Sequence, residues 1–331
     1  MSERIVIATR GSKLALWQTE HVRDLLLKSK PGISVEIRTI TTRGDTNLDT
    51  PIAEIGDKGL FTAELQAALR SDDCDIAVHS LKDLETVDAE GLAILAILER
   101  EDHRDVLLAR KPSLTYRGAW ALEQLADNAV VGTGALRRNA QLLAHRPDCS
   151  VKNLRGNVDT RVKKLTDGEY DAIILAAAGL LRLGYIAHGT LAPMPAMLPP
   201  EIVTMPLAPE HWLSASCQGA IAIEGRKADK RVAKLCAALD HGPSRIACEA
   251  ERAFLRTIEG GCKVPVGVHA RQQRDQLNIS SGIFAVDGSA KALGNVTVSS
   301  DNASDAAVKL AQRLLDDGGR RILDTLRQNK P

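Results

Sequence analysis

Six times in its first two-thirds, the chain repeats a short apolar run that ends in a polar loop carrying a cation. R-I-V-I-A-T-R-G-S leads to Arg10, V-E-I-R-T-I to T-T-R-G-D with Arg43, and D-I-A-V-H-S to L-K-D with Lys82. The same grammar returns in A-V-V-G-T-G-A-L-R-R at 129–138, V-K-N-L-R-G-N-V-D-T-R at 151–161 and D-A-I-I-L-A-A-A-G-L-L-R at 171–182. Helical stretches lie between the runs, the first being L-A-L-W-Q-T-E-H-V-R-D-L-L-L. Strands alternating with helices predict an α/β fold with parallel or mixed sheets, whose ligands bind outside the carboxyl ends of the strands. Two halves written alike predict two similar lobes facing one cleft, with the basic strand ends turned toward it.

A chain of 331 residues exceeds what one hydrophobic core serves. The expected first lobe comprises 1–100 and 218–238, because A-I-A-I-E resumes a strand after a long detour. The second lobe is expected at 105–212, with 185–213, rich in proline and methionine (P-M-P-A-M-L-P-P), read as a long connection. A third, α+β unit is expected at 242–331. It opens with a helix that puts Ile246, Ala250, Ala253, Phe254 and Ile258 on one face, with Pro243 and Ser244 as start signals and Gly260 as stop. The alternating stretches L-N-I-S-S-G-I-F-A-V and A-L-G-N-V-T-V-S-S around D-G-S then predict a small antiparallel sheet, followed by a helix from about 302.

Charge narrows the partners. Lys plus Arg total 43 against 42 for Asp plus Glu, so no global field favours nucleic acid or a membrane surface. An aromatic content of 3% is poor material for base stacking. The longest apolar run, at 172–181, falls short of the ~18 residues needed to span a bilayer, and the N-terminal apolar stretch is too short for a signal-peptide core. Six scattered cysteines without a C-x-x-C suit a reducing compartment, so the chain is expected to be cytoplasmic, with neither membrane nor nucleic acid as partner. No metal-ligand spacing emerges.

Asp83 directly follows a buried strand beside Lys82, well placed for acid/base or electrostatic work; a solvated loop carboxylate or helix cap is the alternative. His79 reads as a core or hydrogen-bonding histidine. Arg137, Arg138, Arg155, Arg161 and Arg182 recur on strand ends of the second half, joined by Arg10, Arg43, Lys58 and Lys82 from the first. Guanidinium forks bind carboxylates bidentately, so such a set suits a ligand with several carboxylates or phosphates. V-V-G-T-G-A-L at 130–136 echoes a dinucleotide loop but lacks the third glycine. G-D-K-G-L-F at 56–61 reads as a lid carrying Lys58 and Phe61, or as a plain turn. Cys262, in E-G-G-C-K-V-P-V-G just past a helix end, reads on its own as an ordinary small core thiol, with a covalent handle in a glycine-built loop as the alternative.

Taken together, the motifs resemble the porphobilinogen deaminase (hydroxymethylbilane synthase) family along essentially the full chain. The resemblance rests on nine ordered segments: A-T-R-G-S-x-L-A-L-W-Q, T-R-G-D, K-G-L-F-x-x-E-L, D-I-A-V-H-S-L-K-D, V-G-T-x-x-L-R-R, N-L-R-G-N-V-D-T-R, Y-D-A-I-I-L-A-A-A-G-L, Q-G-A-I-A-I-E and A-E-R-A-F-L-R-T-I-E-G-G-C-K-V-P-V-G. It implies two similar periplasmic-binding-protein-like lobes around a cleft plus a C-terminal α+β domain with a small antiparallel sheet. It implies a transferase of heme biosynthesis that condenses four porphobilinogen units head to tail, with loss of ammonia, on a dipyrromethane cofactor. Cys262 then matches the cysteine joined to that cofactor by a thioether, and Asp83 the catalytic carboxylate. Lys58, Lys82, Arg137, Arg138, Gly134 and Ala135 fall at cofactor-binding positions. Arg10, Ser12, Phe61, Arg155, Arg161, Arg182 and Gln218 fall at substrate-binding positions. A monomer is implied.

The chain departs from the family pattern in several places. Leu84-Glu85 stands where the family has Val-Pro, and Gly134-Ala135 replaces two serines. S-A-S-C, ending in Cys217, precedes Gln218 where P-A-x-G is usual. Glu54 stands where some members carry lysine, and the 185–213 connection is long. These changes keep open an alternative: a non-catalytic or weakly active paralogue that binds a carboxylated, pyrrole-like ligand.

Overall fold

The computed structural model describes residues 4–46, 59–258 and 264–328. In chain order the strands are β1 (Arg4–Thr9), β2 (Ser34–Thr39), β3 (Ile76–Ser80), β4 (Leu92–Ile97), β5 (Asp105–Arg110), β6 (Val130–Gly132), β7 (Ser150–Lys152), β8 (Ala172–Ala176), β9 (Ile202–Pro206), β10 (Ile221–Arg226), β11 (Val266–Gln273), β12 (Gln276–Phe284) and β13 (Lys291–Ser299). They form three sheets, ordered β2-β1-β3-β10-β4, β7-β6-β8-β5-β9 and β11-β12-β13.

The first two sheets share one plan. β1 runs parallel to β2 and β3, and β6 runs parallel to β7 and β8. Beside each parallel trio lies one antiparallel strand delivered from the other lobe. β10 returns to pair with β3 and β4, while β5 arrives to pair with β8 and β9. The exchanged strands are central, so both faces are covered and their sequences read as nearly continuous apolar runs. Ile221, Ala222 and Ile223 of β10, and Val106, Leu107 and Leu108 of β5, are buried.

The 185–213 segment corrects the sequence reading. It is not only a connection, because it contains β9, an edge strand of the second sheet. Pro206 closes that strand, which is tolerable because an edge position needs no second row of ladder hydrogen bonds. The P-M-P-A-M-L-P-P run lies wholly before it.

The third sheet is antiparallel and packs on the helices Gly242–Thr257 and Ala303–Leu314. Ala250, Ala253, Phe254 and Ile258 join Val268, Ile279 and Leu310 in one core, with Ile246 partly buried against it. His241, rather than Ser244, caps the first of these helices, its ring nitrogen accepting from the Ser244 backbone N–H at 3.4 Å. This unit is tied to the lobes by Glu251, a fully buried carboxylate that accepts from Arg100 Nη1 at 2.6 Å and from the Ala270 backbone N–H at 2.7 Å. Among the described residues no helix is long and apolar enough to cross a membrane.

Candidate active site

Parallel strands put their carboxyl ends on one edge of each sheet, and the two edges face a shared cavity of about 510 Å³. The first lobe contributes Arg10 and Ser12 after β1, Phe61 ahead of the helix Ala63–Arg70, and Lys82 and Asp83 in the turn after β3. From the second lobe come Arg138 in the first turn of the helix Leu136–His145, Arg155 after β7, Arg161 in the helix Val158–Thr166, and Arg182 at the end of the helix Ala177–Arg182. Two helix N-termini also reach the cavity, at Ser12 and at Asn157. Their exposed N–H groups and dipoles add to its affinity for anions.

The cations are under strain of charge. Burial pulls Lys82 down to about 8, with Asp83 opposing the fall and Arg138 adding to it. Burial, then the neighbouring Arg138 and Arg155, bring Arg161 down to about 10. Arg182 is likewise lowered by burial to about 10. Carboxylates of a ligand would relieve all three. The side chains are nonetheless held in place: Arg10 stacks over Phe61 at 4.2 Å, Arg161 Nε donates to the Gly156 carbonyl at 2.7 Å, and Arg182 Nη2 donates to the Gly219 carbonyl at 2.7 Å. Ser12 Oγ accepts from the Ala15 N–H at 3.3 Å, capping the first helix. No described residue hydrogen-bonds the Asp83 carboxylate, which leaves its oxygens to the cavity.

Other expected site residues lie elsewhere. Arg137 and Gln218 do not line the cavity; both turn behind its wall to Asp105, a carboxylate the sequence reading passed over. Its only local signal is an acid abutting the apolar run V-L-L-A, whereas its partners are 32 to 113 residues away. Gly134 and Ala135 do not line the cavity. A Cβ at Gly134 would lie 2.8 Å from the Leu154 carbonyl oxygen, so the loop after β6 approaches the loop after β7 too closely for a serine. His79 is buried with its Nε2 3.0 Å from Glu224, a core pairing. Lys58, Glu54, Gly260 and Cys262, with the start of the 56–61 segment, lie outside the described residues.

The residues present fit a polycarboxylated pyrrole cofactor. Arg138 Nε is a buried donor without a partner at the cavity wall, the donor set is cationic, and one open carboxylate, Asp83, stands among them. Among the described residues no group of three or more histidine, cysteine or acidic side chains is arranged to hold a metal ion.

Two family models match the chain. Residues 5–234 match "Porphobilinogen deaminase, dipyromethane cofactor binding domain", and residues 245–316 match "Porphobilinogen deaminase, C-terminal domain". The porphobilinogen deaminase of Syntrophomonas wolfei subsp. wolfei is 44% identical over 317 residues, covering 96% of this chain and 97% of that one. Solved structures with a looser likeness include the extracellular-binding protein ytmK of an amino-acid ABC transporter from Bacillus subtilis, at 12% identity and TM-score 0.40 over 72% of this chain and 91% of that one. CbnR, a LysR family transcriptional regulator, is similar at 11% identity and TM-score 0.42 over 72% of this chain and 68% of that one. These last two likenesses are too loose to bear on function. The motifs, the cavity and the matches over both lobes and the C-terminal unit agree: the chain belongs to the porphobilinogen deaminase family.

Proposed function

We propose that the chain condenses four porphobilinogen molecules head to tail, releasing ammonia at each coupling, and that one water then cleaves the completed tetrapyrrole from its primer as hydroxymethylbilane. The observation that carries this is Asp83, an open carboxylate that lines one cavity together with Lys82, Arg138, Arg155 and Arg161. A dipyrromethane held as a thioether by Cys262 would supply the covalent primer that keeps successive couplings on the enzyme. Lys58, Lys82, Arg138 and Asp83 are the residues assigned to hold it.

Loss of ammonia from porphobilinogen leaves an electron-poor azafulvene whose positive charge is shared with the ring N–H. Asp83 stabilises that charge and takes up the proton released at the coupling carbon, in a site where excluded water strengthens both effects. Arg10, Ser12, Arg155, Arg161 and Arg182, joined by Lys82, bind the acetate and propionate groups of the substrate and the growing chain. Phe61 supports Arg10 from below, and helix N-termini supply further N–H donors. Retention of Asp83 with this cation set favours turnover over a binding-only paralogue. We place the protein in the cytoplasm as a monomer; free, buried thiols at Cys74, Cys149, Cys217, Cys236 and Cys248 suit a reducing compartment.

The test is intact-protein mass after assembly with porphobilinogen, paired with turnover. Wild type should gain the mass of two pyrrole units and Cys262→Ser should not. Asp83→Asn should fold, and lose on the order of a hundredfold or more in tetrapyrrole formation, the range of one positioned acid/base group. Near-normal turnover in Asp83→Asn would remove that residue from its role.

A further inference from the structure

Asp105 is wholly buried, at 0% exposure, where an isolated carboxylate would be costly. It is the first residue of β5, at the point where the chain has just crossed between lobes. Four donors converge on it from three other segments. Oδ2 accepts from Arg137 Nη1 at 2.8 Å and from Trp212 Nε1 at 2.8 Å. Oδ1 accepts from Arg138 Nη2 at 2.7 Å and from Gln218 Nε2 at 2.8 Å. Gln218 extends the network, since its Oε1 accepts from Lys82 Nζ at 3.5 Å.

The arrangement is more than a buried ion pair. Two guanidinium groups share one carboxylate, so the cluster keeps one net positive charge. Both arginines sit in the first turn of the helix Leu136–His145, where the helix dipole disfavours cations. Asp105 is what makes that placement tenable. Arg138 faces the cavity, its Nη1 fixed on the Ile174 carbonyl at 3.0 Å and its Nε left without a partner. Lys82 faces the same cavity from the other lobe.

We propose that Asp105 is a positioning residue for the condensation: through direct bonds to Arg138 and a relay over Gln218 to Lys82, one buried carboxylate sets both the place and the charge of cavity cations on opposite lobes. This rests on the condensation reading above. Asp105 touches neither substrate nor cofactor and acts only through the groups it holds.

The charges facing Lys82 are Asp83, Arg138, Asp105 and Arg137, with the Gln218 carbonyl as its neutral neighbour. Burial alone would raise the Asp105 carboxyl, but Arg137 and then Arg138 outweigh it, so Asp105 remains an anion throughout the working range. Its negative charge holds the Lys82 proton on; the charge of Arg137 pushes it off. Removing either therefore moves the Lys82 titration in opposite directions, which a purely structural role for the cluster would not do.

The experiment is amine-reactive labelling of Lys82 against pH, read by peptide mass spectrometry on the substrate-free full chain, for wild type, Asp105→Asn and Arg137→Gln. The expected result is a Lys82 midpoint lowered by about half a pH unit or more in Asp105→Asn and raised in Arg137→Gln, the scale of one unit charge in a partly buried site. Unmoved midpoints, or both moving the same way, overturn the proposal. Should Asp105→Asn not fold, Arg137→Gln decides alone: an upward shift supports the proposal and an unmoved midpoint overturns it. In parallel, kcat for porphobilinogen consumption should fall at least tenfold in Asp105→Asn and recover in part in Asp105→Glu. The labelling needs no substrate, so its failure is distinct from failure of the condensation reading, which would show as a wild-type protein that releases no ammonia from porphobilinogen.

Discussion

At the scale of single residues, the site is defined by cations that the fold makes uncomfortable. Lys82 falls from the usual 10.5 to about 8, mainly through burial. The sign matters for its consequences. Between those two values the unfolded chain holds a proton that the folded chain has lost, so this residue's contribution to stability rises with pH in that window. Its attraction for a carboxylate falls over the same window, because the folded ammonium is being neutralised. Activity and stability should thus part company: the KM for porphobilinogen should rise as pH passes through about 8, without a fall in unfolding temperature attributable to Lys82. Lys82→Arg, which stays charged, should hold KM level to about pH 9.5. A wild-type KM that stays flat over that range would mean that Lys82 does not contact a substrate carboxylate. Gly134 shows the opposite kind of constraint. The hydroxyl expected there from the resemblance is absent because backbone from the neighbouring loop occupies the space a Cβ needs.

At the scale of elements, the two crossings between lobes are closed on each other at a single glycine. Gly219 has φ +93, and a Cβ there would lie 2.3 Å from the Glu101 carbonyl oxygen. The Glu101 N–H donates back to the Gly219 carbonyl at 3.2 Å, and Arg182 Nη2 uses the same acceptor. Gly219→Ala should therefore cost roughly 2–3 kcal/mol, combining left-handed strain with a backbone clash. A urea midpoint unchanged from wild type would refute that reading of the contact. These crossings also mark where the sequence stopped being readable. Strands that end on a cation and a glycine or serine loop, such as β1, β3 and β8, declare both their class and their ligand-facing end. β4 and β9 carry no such ending, and L-A-I-L-A-I can equally be read as buried helix; β5 does end on Arg110, but nothing in D-V-L-L-A-R marks it as a strand exchanged between lobes. Asp105 was illegible for a deeper reason: its meaning lies in partners from the 137–138 helix and the 212–218 return, which only the exchanged strands bring together. Cys217 is a milder case. Its φ of +58 explains why a glycine is expected before Gln218, and its side chain is accommodated by burial among Leu81, Ile97 and Cys248.

For the whole molecule, the question is how the C-terminal unit stays docked on the lobes. His103, in the outward crossing, stacks on His269 of β11 with ring centroids 3.4 Å apart. Arg100, Glu251, Asp102 and Arg271 surround the pair. Burial, then His269 and Arg100, lower His103 to about 3, so its ring is neutral in the folded protein above that pH; burial lowers His269 as well. Burial would raise the Glu251 carboxyl, but Arg100 outweighs it and Glu251 stays ionised, brought down to about 2. The histidine effect has a definite sign. As pH falls from 6.5 the unfolded chain takes up protons that the folded stack refuses, and docking weakens steadily until about pH 3. Glu251 adds a loss of the same sign at lower pH, since its folded carboxylate remains charged from its usual 4.5 down to about 2 while the unfolded one protonates. His103 alone should then forfeit roughly 2–3 kcal/mol between pH 6.5 and 4.5. His103→Phe keeps an aromatic ring on His269 but has no proton to gain. It should flatten the dependence of the urea midpoint on pH over that interval, with little change near pH 8, and should leave the unit less prone to proteolytic release in mild acid. If the mutant and wild-type midpoints fall in parallel below pH 6, the acid sensitivity lies elsewhere. The stacked pair would then be packing alone.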